Sequence, residues 1–157
     1  MIFEPIKVII VDSGKDTKLK PMKHSNNNTD SLILKSGEGR KYNCGTMTAI
    51  FKADENETSE KYSVSEWWLE PNSDGPGAHQ HEENDEVFYV LEGTTSFLVG
   101  DKWIDAEKGT FLRIPSKTMH DFVNKTDKNS GVLNFFIPGG FERNMPSIVK
   151  WFEDNSF

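Results

Sequence analysis

Residues 77–93 read GAHQHEENDEVFYVLEG, and the rest of the chain is best read outward from them. His79 and His81 lie two apart, and on an extended backbone residues i and i+2 project from one face, so both imidazoles reach toward one point. Taken alone, a His-x-His pair is more often an ordinary surface or core pair than a metal site. Glu86 follows His81 at an odd offset, which would turn it to the wrong face of an uninterrupted strand. The polar, turn-prone residues 82–85 re-aim the chain, so that Glu86 opens the next strand, an apolar run from Val87 to Leu91.

A second stretch, residues 109–124, reads GTFLRIPSKTMHDFVN. His120 comes just after the turn-forming segment Pro115 to Thr118, on a strand whose same face carries Phe122 and Asn124. In a closed β architecture, strands distant in sequence share one interior. Two imidazoles from one strand, a carboxylate from its neighbour and an imidazole from across the interior then give a shell of His79, His81, Glu86 and His120. Such a shell suits one divalent first-row ion at about 2.0 to 2.2 Å and leaves a position or two for water, dioxygen or substrate. Imidazole-rich shells accept Fe, Mn, Ni, Co, Cu or Zn, so the metal stays open.

The surroundings read as β structure. Short strand-like runs alternate with turn signals: Lys7 to Val11, Ser31 to Lys35, Thr46 to Lys52, Tyr62 to Glu70, Glu86 to Leu91, Thr94 to Val99, Lys102 to Asp105, Thr110 to Ile114, His120 to Asn124 and Val132 to Ile137. This spacing predicts an antiparallel sandwich or barrel, with a meander in the middle of the chain. Glu92–Gly93 and Gly100–Asp101 read as tight hairpin turns. Residues 12–30 read as a long polar loop in which His24 has no role, and 53–61 as a charged loop. Only the end is helical in pattern, with Ile148, Val149, Trp151 and Phe152 following Pro146.

The chain has 157 residues, which predicts one domain, and a net charge of -7 from 18 basic and 25 acidic residues, which argues against a nucleic-acid or anionic-membrane partner. No apolar run is long enough for a spanning helix or a signal core. Cys44 is the only cysteine, so no intrachain disulfide is possible and the expectation is a cytoplasmic protein. A small-molecule substrate or ligand is the expected partner.

With both stretches in order, the chain resembles the cupins. Gly77, His79, His81, Glu86 and Gly93 are similar to the first cupin motif, and Gly109, Pro115, His120 and Asn124 to the second, over 48 residues from Gly77 to Asn124. Two positions depart from the pattern: Ser73 stands where the first motif has its leading Gly, and Lys117 where the second has Gly after Pro, a substitution that costs stability if that turn needs positive φ. The resemblance implies an antiparallel double-stranded β-helix, the jelly-roll barrel of the cupins, with a short C-terminal helix. It implies one domain over 1–157, with a motif core at 75–140, N-terminal strands and loops at 1–61 and a helical tail at 142–157. The segment Ile137 to Glu142 also looks like the tail of quercetinase-like cupins, in which the glutamate ligand takes a proton from a substrate hydroxyl. Glu86 would then be catalytic as well as a ligand.

Glu86, Phe88 and Val90 share one face of their strand, and Val87, Tyr89 and Leu91 the other, so both faces are apolar. The outer one needs a second sheet, a terminal segment or another subunit over it, and cupins commonly dimerise, so a homodimer is expected. Phe88, Phe122, Trp68 and Met119 are the candidate pocket residues, Met119 as a gap filler beside His120 rather than as a ligand. Either Trp67 or Trp68 can line a pocket, and Glu66 is read as a solvated outward carboxylate. The functional expectation is a metal-dependent dioxygenase acting on a small aromatic or enolisable molecule. The alternatives are a non-redox sugar isomerase or lyase, and a non-catalytic cupin that binds a small ligand or metal.

Overall fold

The computed structural model describes residues 8–10 and 31–155, which fall into two units, Met1–Glu38 and Gly39–Phe157. In the first, β1 (Val8–Ile10) pairs in parallel with β2 (Ser31–Ile33). The loop expected over 12–30, His24 within it, and the strand ends Lys7 and Val11 lie outside the described residues.

The second unit is built from alternating strands. In β5 (Ser63–Leu69), following β3 (Arg40–Cys44) and β4 (Met47–Ala53), Ser63, Ser65, Trp67 and Leu69 are buried while the residues between them are half-exposed. That period of two is what a half-covered sheet produces. Beyond it come β6 (Asp85–Glu92), β7 (Thr94–Val99), β8 (Lys102–Glu107), β9 (Phe111–Ile114), β10 (His120–Val123) and β11 (Ser130–Ile137). A six-stranded sheet has the order β3-β4-β5-β11-β6-β9 and a three-stranded sheet the order β10-β7-β8. All pairings within the two sheets are antiparallel. The fold is the double-stranded β-helix.

This order corrects the expected meander. The last strand, β11, lies between β5 and β6, so those neighbours in sequence never pair. Residues 70–84 between them cross instead to the small sheet, where Ser73 bridges Asn124 and His79 bridges His120. Gly75 permits that approach: a Cβ on it would lie 2.0 Å from the Phe122 carbonyl oxygen, and its φ is +71°. The two glycine turns also differ from expectation in one case. Gly100–Asp101 closes a two-residue hairpin, with Val99 paired to Lys102. Gly93 makes no hairpin; it is the corner where the chain leaves the large sheet for the small one, and a Cβ there would meet the Asn129 carbonyl at 2.5 Å.

The core between the sheets is aromatic and aliphatic. Phe51, Leu69, Phe88, Val90, Phe97, Ile114 and Val132 are at most 1% exposed, and each such side chain contributes about 1.5 to 3 kcal/mol by burial. Cys44 is buried in the same core, and burial pushes its thiol up to about 11. On the outer face of the large sheet Tyr89 pairs with Phe111, both exposed.

Two elements lie where loops were expected. Arg40–Cys44 forms an edge strand, joined to β4 by Gly45 and Thr46, whose charged residues hid its alternation. Glu55–Thr58 is a helical turn, α1, started by Asp54, whose backbone N–H donates to the Glu57 carboxylate at 2.9 Å. At the end of the chain, a 3-10 turn at Glu142–Asn144 leads into α2 (Met145–Asp154), with Pro146 in its first turn.

Candidate metal centre

The three imidazoles of His79, His81 and His120 present one ring nitrogen each, all within 4.8 Å of one another. Two separate parts of the fold bring them together. His120 begins β10, His79 is bridged to it from the crossing segment, and His81 follows at the end of that segment. Ring centroids are 4.4 Å apart for His79 and His120, 5.0 Å for His79 and His81, and 5.3 Å for His81 and His120.

Which nitrogen faces inward is fixed by backbone. His79 Nδ1 lies 2.7 Å from the Gly77 carbonyl oxygen and His120 Nδ1 lies 2.8 Å from that of Thr118. A carbonyl only accepts, so each Nδ1 carries the proton and donates it, leaving Nε2 with a free lone pair. An ion held at Nε2 needs that tautomer.

Glu86 joins the cluster from β6. Its Oε2 lies 3.2 Å from His120 Nε2 and its Oε1 lies 3.5 Å from His81 Nε2, yet His81 Nε2, His120 Nε2 and Glu86 Oε2 are all buried without a well-directed hydrogen bond. Unpaired buried polar atoms of this kind cost roughly 1 to 3 kcal/mol each. Here they are aimed at one point, which is what an ion between them would satisfy. The donor set, three neutral imidazole nitrogens and a carboxylate, fits a divalent transition ion.

The electrostatics agree with that fit. Burial lowers His79 below the ordinary histidine range, favouring the neutral ring a metal requires. At Glu86 burial pushes upward, but the facing edges of His120 and His81 outweigh it and hold the carboxyl below its usual range. Burial pulls His120 down as well, and the Glu86 carboxylate outweighs it and raises that imidazole. Glu86 therefore sits as a buried anion that draws a positive charge into the cluster, either a proton on His120 or an ion.

Above the cluster opens a cavity of about 300 Å³. Phe88 and Phe122 line it, their rings 5.6 Å apart, and Trp67 packs edge-on to Phe122 at 5.8 Å. The expected pocket residues Trp68 and Met119 do not line it. Trp68 lies on the opposite face of β5 from Trp67, its indole laid over Gly131, where a Cβ would be 2.5 Å from the ring. Met119 is 40% exposed, in the turn just before β10. Glu66 also faces outward, accepting from Trp68 Nε1 at 3.0 Å and pairing with Lys52 at 3.0 Å.

Several lining residues gave no strong sequence signal. Met47 comes from β4, and Ile148, Trp151 and Phe152 come from α2 at the mouth. Phe141 is held over the site by Asp54, whose buried carboxylate accepts from the backbone N–H of Gly140 at 2.5 Å and of Glu142 at 2.7 Å. It packs on Phe136 at 4.8 Å, and Phe136 on His81 at 4.8 Å. Asn134 also lines the cavity; it is the one polar side chain in the run Val132–Ile137, and that interruption was its signal.

Fold and cluster together define the class. Residues 65–136 match the family described as the cupin domain, and the fold is that of the cupin structures it resembles. Among curated proteins it is similar to the quercetin 2,3-dioxygenase of Bacillus subtilis (strain 168), 26% identical over 160 residues that cover 96% of this chain and 45% of that protein. The chain thus spans a little under half the length of this relative. Among solved structures it is similar to KdgF from Halomonas sp. (TM-score 0.63, 20% identity, 73% of this chain and 99% of that one). A second is an RmlC-like cupin from Shewanella frigidimarina (TM-score 0.60, 15% identity, 71% of this chain and 94% of that one). At these identities the structural likenesses speak to the fold. No helix among the described residues is long and apolar enough to cross a membrane.

Proposed function

We propose that this cupin is a metal-dependent dioxygenase acting on a small aromatic or enolisable organic molecule, with His79, His81, His120 and Glu86 holding one divalent transition ion. The observation that carries the reading is the contrast between floor and walls. Three imidazoles and a buried carboxylate converge at the base of a cavity whose remaining lining is mostly aromatic and aliphatic and, among the described residues, includes no lysine or arginine. A highly charged acid would find no countercharge on those walls, whereas a flat, largely apolar molecule finds rings on several sides. The similarity to a quercetin 2,3-dioxygenase supports the same substrate class.

A bound divalent ion supplies a Lewis-acid position for a substrate oxygen. The chain's own groups do the rest. Glu86, 6% exposed, is the base placed to take the proton of a substrate hydroxyl onto a carboxylate oxygen. Phe88, Phe122 and Trp67 hold the ring system and exclude water. The backbone carbonyls of Gly77 and Thr118 keep the His79 and His120 rings oriented.

The test is oxygen uptake by protein loaded in turn with Fe, Mn, Co and Ni, using quercetin and acetylacetone as substrates. Uptake with at least one pairing, abolished by Glu86→Gln, is expected. Anaerobic conversion without uptake would move the reading to an isomerase or lyase. No conversion with any loaded metal would leave a ligand-binding cupin.

A further inference from the structure

Asn134 is 5% exposed, and its Nδ2 has no hydrogen-bond partner. It sits in the middle of β11, flanked by Leu133 and Phe135 in sequence, and pairs across the sheet with Ser65 on one side and Phe88 on the other. A leucine or valine would fill that place without burying an unpaired amide, so the polar group costs the fold stability. The Thr95 and Ser130 hydroxyls are also buried and unpaired, but neither lines the cavity; Asn134 does.

Its position relative to the cluster is set by register. Phe136 pairs with Glu86 and Asn134 with Phe88, so Asn134 and Glu86 are diagonal neighbours on the inner face of the sheet. Diagonal neighbours in a sheet stand about 7 to 8 Å apart. The Phe88 and Phe122 rings, 5.6 Å apart, line the same cavity as these two residues. A ligand spanning that gap needs one oxygen at the imidazoles, a flat scaffold, and a second oxygen that accepts a hydrogen bond.

We propose that Asn134 is the specificity-determining donor of this pocket, its Nδ2 hydrogen-bonded to a carbonyl or ring oxygen of a flat aromatic ligand whose other oxygen lies at the His79, His81, His120 and Glu86 cluster. This rests on the metal site and substrate class proposed above. It predicts selection for molecules with two separated oxygens over those with one.

The experiment uses the full chain loaded with Zn²⁺ under nitrogen, so that binding is read without turnover, by quenching of tryptophan fluorescence. The probes are 3-hydroxyflavone, which offers a hydroxyl and further acceptor oxygens, and 2-naphthol, which offers a hydroxyl alone. Asn134→Val should weaken 3-hydroxyflavone about ten-fold and leave 2-naphthol within about two-fold, while Asn134→Thr, which keeps a donor in nearly the same volume, falls between. Equal losses for both probes, or no loss for either, would overturn the assignment to Asn134 while leaving the pocket reading intact. A wild-type protein that binds neither probe would overturn the substrate reading and this assignment with it. As a check that needs no variant, the Asn134 side-chain NH₂ resonance of ¹⁵N-labelled wild type should shift with 3-hydroxyflavone and stay in place with 2-naphthol; the reverse pattern would also refute it.

Discussion

His79 and His120 exchange both of their backbone hydrogen bonds: His79 N donates to His120 O at 2.9 Å and His120 N to His79 O at 2.8 Å. The two residues are thus a hydrogen-bonded pair of an antiparallel ladder, although His79 belongs to no continuous strand. Each ring is then tied by Nδ1 to a carbonyl two residues back, Gly77 for one and Thr118 for the other. Backbone and side chain together place two inward lone pairs before any ion arrives. A preformed site of this kind binds tightly because little ordering remains to be done on binding.

Metal loading should therefore stabilise the fold measurably. At a free metal concentration one hundred times its Kd, binding to the folded state adds about 2.7 kcal/mol, and for a chain of this size that is a rise in Tm of roughly 5 to 10 °C. Differential scanning calorimetry with and without one equivalent of Zn²⁺ or Mn²⁺, and again after EDTA, reads it directly. The double variant His79→Ala with His81→Ala should lose both the rise and most of the bound metal. A variant that keeps its metal would place the site elsewhere.

Lys117 gives a prediction of opposite sign. Its φ is +64°, in the left-handed region that favours glycine, and its side chain is exposed. Its N–H donates to the His81 carbonyl at 2.7 Å, so the strained turn is anchored to a residue of the cluster. A left-handed non-glycine residue costs about 1 to 2 kcal/mol, part of which glycine returns as unfolded-state entropy. Lys117→Gly should raise stability by about 0.5 to 1 kcal/mol, whereas Lys117→Val, β-branched, should lower it. Urea midpoints at constant m-value decide this; a stabilising valine would remove the strain argument.

The His-x-His pair, Glu86 and His120 were legible because chemistry-bearing residues stand out against a strand pattern, and the turn after residue 81 accounted for the odd offset of Glu86. The strand order was not legible. Periodicity says that Val132–Ile137 is a strand but not that it inserts between β5 and β6, since that choice is made by pairing over long distances in sequence. Trp67 and Trp68 illustrate the same limit at the level of one residue. The alternation correctly put them on opposite faces, and only the sheet's packing, with Gly131 beneath the Trp68 indole, decides which face is interior. Arg40–Cys44 escaped notice because an edge strand with one solvated face carries charges where a central strand carries valines.

Tyr42 offers a pH-dependent test on the segment that carries Phe141. Its hydroxyl donates to Glu142 Oε1 at 2.8 Å, and Arg40 Nε donates to the same oxygen at 2.6 Å. Burial first, and then the bond to the Glu142 carboxylate, push the phenol up to about 12 from an ordinary value of 10.0. The folded state therefore holds this proton more tightly than the unfolded chain does. Its contribution is complete below about pH 10 and is lost as pH rises toward 12, where a phenolate would face the Glu142 carboxylate. Tyr42→Phe should cost about 1 kcal/mol at neutral pH and remove this part of the alkaline loss, so the stability gap between wild type and variant should narrow above pH 10. Paired denaturation curves from pH 8 to the alkaline limit measure that gap. A gap that stays constant would mean that the bond to Glu142 does not set the phenol's proton affinity.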